Sequence, residues 1–197
     1  MLIEETPIPD AALPLEAFKA HLRLGSGFGP ADVQDAMIAS FLRAAIAAVE
    51  ARTGKAVLQR RFNLVVSEWH ARDAHVLPVA PVEAVARVER VAADGTRTLV
   101  DPGSYWLQRD LQRPRLRASG SLPDVPDGGT LEMLLEAGYA SAWEDVPADL
   151  GQAVLMLAAH YYEYRNDTGL SAGCMPFGVS SLIERFKQVR LGAGAAR

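Results

Sequence analysis

The spacing of apolar residues changes twice along this chain. Between residues 15 and 53, apolar side chains recur at every third or fourth position, which predicts a short helix from Leu15 to Leu24 and a long helix ending near Gly54. From residue 56 to 144 they alternate with polar residues, which predicts short strands, and after Pro147 the helical spacing returns. This order favours an α+β fold, with a helical core of long antiparallel helices and short terminal helices and an inserted antiparallel β module.

The same order predicts where the two parts of the fold meet. We expect residues 1–55 and 145–197 to form the helical core with a C-terminal docking helix and tail, and residues 56–144 to form the β module. Within the module, Asp94-Gly95 separates two alternating runs, which predicts a tight hairpin at this point.

Composition places the chain among ordinary globular proteins. It has 197 residues, of which 49% are hydrophobic and 22% charged, and its formal net charge of −4 gives no general attraction for nucleic acid. Cys174 is the only cysteine, so an internal disulfide is excluded and synthesis in a reducing cytosol is expected. The acidic first ten residues do not match a signal peptide, and no apolar run approaches the roughly 18 residues that suggest a membrane span.

Three glycines within Gly25–Gly29 raise the question of a phosphate-binding loop. A dinucleotide fingerprint needs G-x-G-x-x-G after a strand, whereas the spacing here is G-x-G-x-G and the preceding segment is predicted to be helical. No Gly-Lys-Ser or Gly-Lys-Thr sequence follows. We therefore interpret the segment as a connector between helices and expect no nucleotide cofactor.

The chain offers few residues suited to catalysis or metal binding. Zinc usually takes three or four ligands, whereas His70 and His75 have no cysteine or third histidine near them in the sequence. A small enzyme that uses Cys174 or His160 remains an alternative, and it needs a partner that only the fold can bring close. We expect no catalytic residue, no metal and no cofactor.

A basic run and the C-terminal region are the remaining candidates for binding. In the C-terminal region, Ser181 and Glu184 match a capping box, which predicts an amphipathic helix beginning near Ser180. This helix can dock into a groove of another protein or pack on its own core. The run from 109 to 117 can be a solvated edge strand, a DNA-binding module or a contact for an acidic partner. It carries four arginines against one aspartate: Arg109, Arg113, Arg115 and Arg117, against Asp110.

Five segments follow one another in a distinctive order. They are "LEAFKAHLRL", "DAMIASFLRAAIAAVEARTGKAV", "LEAGYA", "VPADLGQAVLMLAAHYYEYRND" and "PFGVSSLIERFKQVRL". In this order the chain resembles the head–tail connector (adaptor) proteins of long-tailed phages and phage-like gene transfer agents. The resemblance covers nearly the whole chain, and the region between Arg60 and Thr130 is its least distinctive part.

The resemblance implies a structural role in the neck of a virion or gene transfer agent particle, for a protein made in the bacterial cytoplasm. Copies are expected to form a ring of twelve subunits beneath the portal protein. The ring would extend the DNA channel without binding DNA specifically, and it would carry stopper or other tail-proximal proteins. Because the C-terminal helix and tail of such proteins commonly reach the portal, the resemblance implies six portal contacts: Phe177, Leu182, Ile183, Phe186, Arg190 and Leu191.

The apolar surface of the long helices is wider than one small core needs. A ring also requires head-to-tail interfaces, in which one patch meets a different patch on the neighbour. We therefore expect five residues to be shared between the internal core and a subunit boundary: Val33, Met37, Phe41, Leu157 and Tyr161. Removal of the residues after Ser180 is expected to prevent attachment to the portal and to leave the fold intact.

Overall fold

The residues that the structure describes form four α-helices and eight strands. The structure is a computed structural model, and it describes residues 1–23, 31–165 and 175–187. The helices are α1 (Leu15–His21), α2 (Ala31–Thr53), α3 (Ala148–Glu163) and α4 (Phe177–Ile183). The strands are β1 (Leu2–Glu4), β2 (Arg60–Val66), β3 (Ala74–Val76), β4 (Val82–Val91), β5 (Arg97–Leu99), β6 (Trp106–Gln108), β7 (Arg115–Arg117) and β8 (Thr130–Ala137).

Five strands form an antiparallel sheet in the order β1–β2–β8–β4–β5. The predicted alternation is found in β2, where it buries Phe62, Leu64 and Val66, and β8 alternates in the same way along its whole length. The connection between β4 and β5 contains Asp94-Gly95, and Gly95 has a φ of +85°, a conformation that glycine adopts without strain. The predicted hairpin is confirmed.

Strands β3, β7 and β6 form a second, three-stranded antiparallel sheet, with β7 in the centre. Leu116 in β7 points to the interior and is fully buried. Residues paired in register project to the same side of a sheet, so the neighbours of Leu116 share the opposite face. Six side chains lie on that face in two rows: Ala74, Arg117 and Trp106, then Val76, Arg115 and Gln108.

Buried apolar side chains form two clusters. The helical cluster unites the four helices with the N-terminal residues Ile8 and Leu13, and α3 packs against both α2 and α4. The sheet cluster joins the two sheets around side chains such as Leu116 and Met133. The predicted mixed α+β class is confirmed. Strand β1 pairs with β2, so the N-terminal region that the sequence assigns to the helical core contributes one strand to the sheet.

A buried arginine connects the two clusters. Arg60, at the start of β2, is 9% exposed and donates hydrogen bonds to both carboxylate oxygens of Glu50 in α2, at 2.9 and 2.6 Å. It also donates to Glu4 of β1 at 2.8 Å. Glu50 in turn accepts a hydrogen bond of 2.7 Å from the backbone N–H of Val57. This network holds α2, β1 and β2 together at the junction of helices and sheet.

The predicted beginning of the last helix is wrong. Helix α4 begins at Phe177, where Pro176 precedes the first turn and no side chain caps it, so Ser181 and Glu184 do not form a capping box. Pro176 suits a position before the first turn because it has no N–H to leave unpaired. Val179 and Ile183, four residues apart, then lie on one face of the helix, and both are buried. None of the described helices combines the length and apolarity that a membrane span needs. The segment Gly25–Gly29 lies outside the described residues.

Candidate assembly surfaces

The most exposed large apolar side chain of the described residues lies at the start of α4. Phe177 is 88% exposed, because it occupies the first position of the helix on the side away from the helical cluster. The same short helix buries Val179 and Ile183. An exposed phenylalanine on a helix that is itself packed against the core is a suitable anchor for a partner protein.

The other predicted portal contacts have different environments. Ile183 and Phe186 are buried in the helical cluster, and Phe186 packs edge-on against Tyr139, with ring centroids 5.8 Å apart. Leu182 is partly buried against the same cluster. Arg190 and Leu191 lie outside the described residues. Of the six predicted contacts, Phe177 is the one whose exposed side chain the structure describes.

The predicted subunit-boundary residues are also placed differently from one another. Leu157 is 1% exposed and belongs to the core of its own chain. Met37, Phe41 and Tyr161 are partly buried, and Phe41 packs edge-on against Tyr162 at a centroid distance of 6.0 Å. The side chain of Val33 lies outside the described residues. The partly buried members therefore keep solvent-accessible surface within the isolated subunit.

The arginine-rich run is partly neutralised within the chain. Arg109 lies 2.7 Å from the carboxylate of Glu83, and Arg117 lies 3.0 Å from that of Asp73. Two backbone N–H groups, of Arg113 and Gln112, hydrogen-bond to Asp110 and lower the pKa of its carboxyl group. The expected solvated edge strand is wrong, because residues 115–117 form β7, the central strand of its sheet. Two of the four arginines are held in ion pairs, so fewer charges are free for phosphates than the sequence suggests.

A buried lysine that the sequence does not single out supports this run. Lys55 is 1% exposed, and its ammonium donates hydrogen bonds to the carbonyl oxygens of Leu111 at 2.7 Å and Gln112 at 3.4 Å. Burial lowers the pKa of Lys55. The side-chain amide of Gln112 donates to the carbonyl of Arg185, beyond α4, at 3.4 Å. The loop is therefore tied both to the end of α2 and to the C-terminal segment.

No group of three or more potential metal ligands is found among the described residues. His160 packs its ring against Tyr164, with centroids 4.7 Å apart, and Cys174, the other residue considered for an enzyme, lies outside the described residues. His70 and His75 approach each other, with ring centroids 6.5 Å apart, and no third ligand joins them in the described part of the chain.

His75 is expected to make stability depend on pH. Burial, reinforced by the charge of His70, lowers the pKa of His75 from its usual 6.5, so folding favours the neutral ring. Its contribution to stability is present above pH 6.5 and is lost as the pH falls through the folded pKa. We expect the free energy of unfolding to decrease from pH 7 to pH 5, by at most about 1.4 kcal/mol per pH unit. In chemical denaturation, His75→Phe should flatten this dependence, and an unchanged slope would contradict the assignment.

Three solved chains resemble this one over nearly its entire length. A chain from the neck of an empty gene transfer agent particle, computed with C6 symmetry, is 46% identical, with a TM-score of 0.88 and coverage of 98% of both chains. A chain from the neck of a native particle, computed with C12 symmetry, is 44% identical over 98% of both chains, with a TM-score of 0.84.

A third similar chain comes from the virion of a native gene transfer agent particle. It is 46% identical over 98% of both chains, with a TM-score of 0.85. No protein-family model and no curated protein matches the chain. Each match covers 98% of this chain, so the similarity spans both the helical regions and the β strands. The chain belongs to the family of gene transfer agent neck proteins.

Proposed function

We propose that this protein is a head–tail adaptor that forms a ring of twelve identical subunits between the portal and the tail. The observation that carries the proposal is the 46% identity, over 98% of both chains, to a chain from the neck of a particle. A similar chain belongs to a neck computed with C12 symmetry, which supports a ring of twelve copies. The ring would extend the DNA channel and carry stopper or other tail-proximal proteins.

The C-terminal region is the proposed contact with the portal. Phe177 offers an exposed aromatic side chain, and Arg190 and Leu191 follow in the same region of the sequence. Ile183 and Phe186 are not part of this proposed contact, since they pack in the helical cluster and hold α4 in place. We also propose that α2 and α3 lie antiparallel in the helical core, with residues 56–144 as an inserted module, which fits the packing of α2 on α3.

The charge of the chain suits a conduit better than a DNA clamp. Its formal net charge is −4, and like charges disfavour tight contacts with the phosphates of DNA moving past. The ion pairs of Arg109 and Arg117 weigh against a DNA-binding module at residues 109–117. Membership of a family of particle components weighs against an enzyme. The proposed action is mechanical, and it needs no cofactor or turnover.

Deletion of the gene in a strain that makes the particle tests the proposal. We expect filled heads and free tails to accumulate separately, and a plasmid copy of the full chain to restore joined particles. Negative-stain microscopy counts the three species directly. Joined particles at normal frequency in the deletion strain would contradict the proposal.

A further inference from the structure

The outer face of the three-stranded sheet has the composition of a protein interface. Here we call it the cationic face, and it comprises the two rows Ala74, Arg117, Trp106 and Val76, Arg115, Gln108. Trp106 is 46% exposed and Val76 38% exposed, so two large apolar side chains of one small sheet face solvent together. Tryptophan and arginine are the residues that most often dominate binding energy at interfaces.

Charge around this face is opposite to that of the whole chain. Residues 72–76 and 106–117 carry five arginines and two aspartates, in a protein whose net charge is −4. Arg109 is paired with Glu83 outside these segments, and the arginines remain in excess. The face contains two arginines, Arg115 and Arg117. Among the described ion pairs, Asp73 neutralises Arg117, and none involves Arg115. An excess of arginine makes this face electrostatically complementary to an acidic patch on an identical subunit.

The chain also carries a pocket of complementary character. Here we call it the acidic pocket, a cavity of about 280 Å³ between the N-terminal segment 9–14 and the turn 141–144. Its lining is mainly apolar and includes Pro9, Leu13, Pro14, Ala142 and Trp143. Glu144 lines it with an exposed carboxylate, and the exposed Asp145 follows directly. Apolar walls with an acidic rim fit an aromatic side chain flanked by arginines.

We infer that the cationic face of one subunit docks on the acidic pocket of the next copy in the ring, with Trp106 entering the pocket and Arg115 near Glu144. The inference rests on the proposed ring, because a ring needs two different patches that complement each other. Duplex DNA is a poorer occupant of the cationic face. The outer surface of duplex DNA consists largely of phosphates, which provide no apolar partner for the exposed Trp106 and Val76.

Thiol cross-linking in assembled particles tests the contact. The chain with Cys174→Ser receives Gln108→Cys on the cationic face and Ser141→Cys at the acidic pocket, which leaves Trp106 and Glu144 intact. Treatment with a short bismaleimide should link these sites between neighbours and give a ladder of dimers, trimers and larger species on a denaturing gel. Each single-cysteine chain should give no species above the dimer. Particles that contain the double variant at normal amounts but yield no ladder would overturn the inference and leave the proposed function standing.

Point variants separate the proposed occupant from its alternatives. Trp106→Ala in the double-cysteine chain should lower the yield of the ladder at least about tenfold, as expected for the loss of 1.4 kcal/mol or more at an interface anchor. Leu99→Ala, at an apolar side chain that is 60% exposed on the other sheet, should leave the ladder unchanged. If instead the purified full chain binds duplex DNA, and Arg115→Glu abolishes that binding, the face is a DNA surface and the inference is wrong. Absence of the unaltered chain from particle necks would remove both the inference and the proposed function.

Discussion

Removing residues 188–197 should produce a folded protein that no longer joins heads to tails. The described core ends at Lys187, and the deletion removes Arg190 and Leu191 but retains Ile183 and Phe186 in the helical cluster. If the deleted segment contributes at least about 1.4 kcal/mol to docking, attachment to the portal falls tenfold or more. We expect an unchanged melting temperature by circular dichroism, and at least about tenfold fewer joined particles when the shortened gene complements the deletion.

Two full-length variants serve as a matched pair for this truncation. Leu191→Asp places a charge at a proposed portal contact and should reproduce the loss of joined particles. Ala196→Asp places the same charge near the chain end and should leave assembly normal. A shortened chain that joins heads and tails at the normal frequency would refute the docking assignment. Truncation after Ser180, which the sequence predicts to leave the fold intact, is unsuitable because it removes the buried Ile183 and Phe186.

Replacing Arg60 by alanine should cause the largest loss of stability among single changes at the helix–sheet junction. Arg60 is 9% exposed, and its removal leaves the carboxylate of Glu50 without its bidentate partner in a site that is largely closed to water. Breaking a buried ion pair from one side typically costs about 3–5 kcal/mol. We therefore expect Arg60→Ala to lower the free energy of unfolding by about this amount, measured by urea denaturation at pH 7.

The neighbouring arginine provides the control. Arg61 pairs with Glu136 at 3.2 Å, but its side chain is 55% exposed, and such surface pairs contribute about 0–1 kcal/mol. Arg61→Ala should therefore change the free energy of unfolding little. Equal losses for the two variants would show that the buried network at Arg60 does not stabilise the junction.

The secondary structure can be predicted from the sequence wherever a local pattern is compatible with a single type of element. Alternation in β2, the Asp94-Gly95 hairpin and the helix after Pro147 are each determined by short-range geometry, and all are confirmed. Strand β1 has only three residues and therefore almost no periodic signal, and its existence depends on pairing with β2. The capping pattern predicts too late a start for α4, because the helix begins directly after Pro176.

The functional surfaces were harder to predict because they depend on contacts between distant residues. Charged residues are normally exposed, so nothing local indicates that Lys55 and Arg60 are buried, and only the fold supplies their partners. Trp106 and Arg117 are separate in sequence and become neighbours through the register of β6 and β7. Ile183 and Phe186 look like docking residues in an amphipathic pattern, yet that apolar side faces the protein's own core.

A reconstruction of the particle neck by electron cryomicroscopy would show whether this chain forms the proposed ring. The particle should come from a strain in which this chain carries a small fused tag, so that its position is identified by density. The account predicts twelve copies of this fold in one closed ring around the channel, between the portal and the tail. Tag density elsewhere in the particle, or a neck in which this fold is absent, would contradict it.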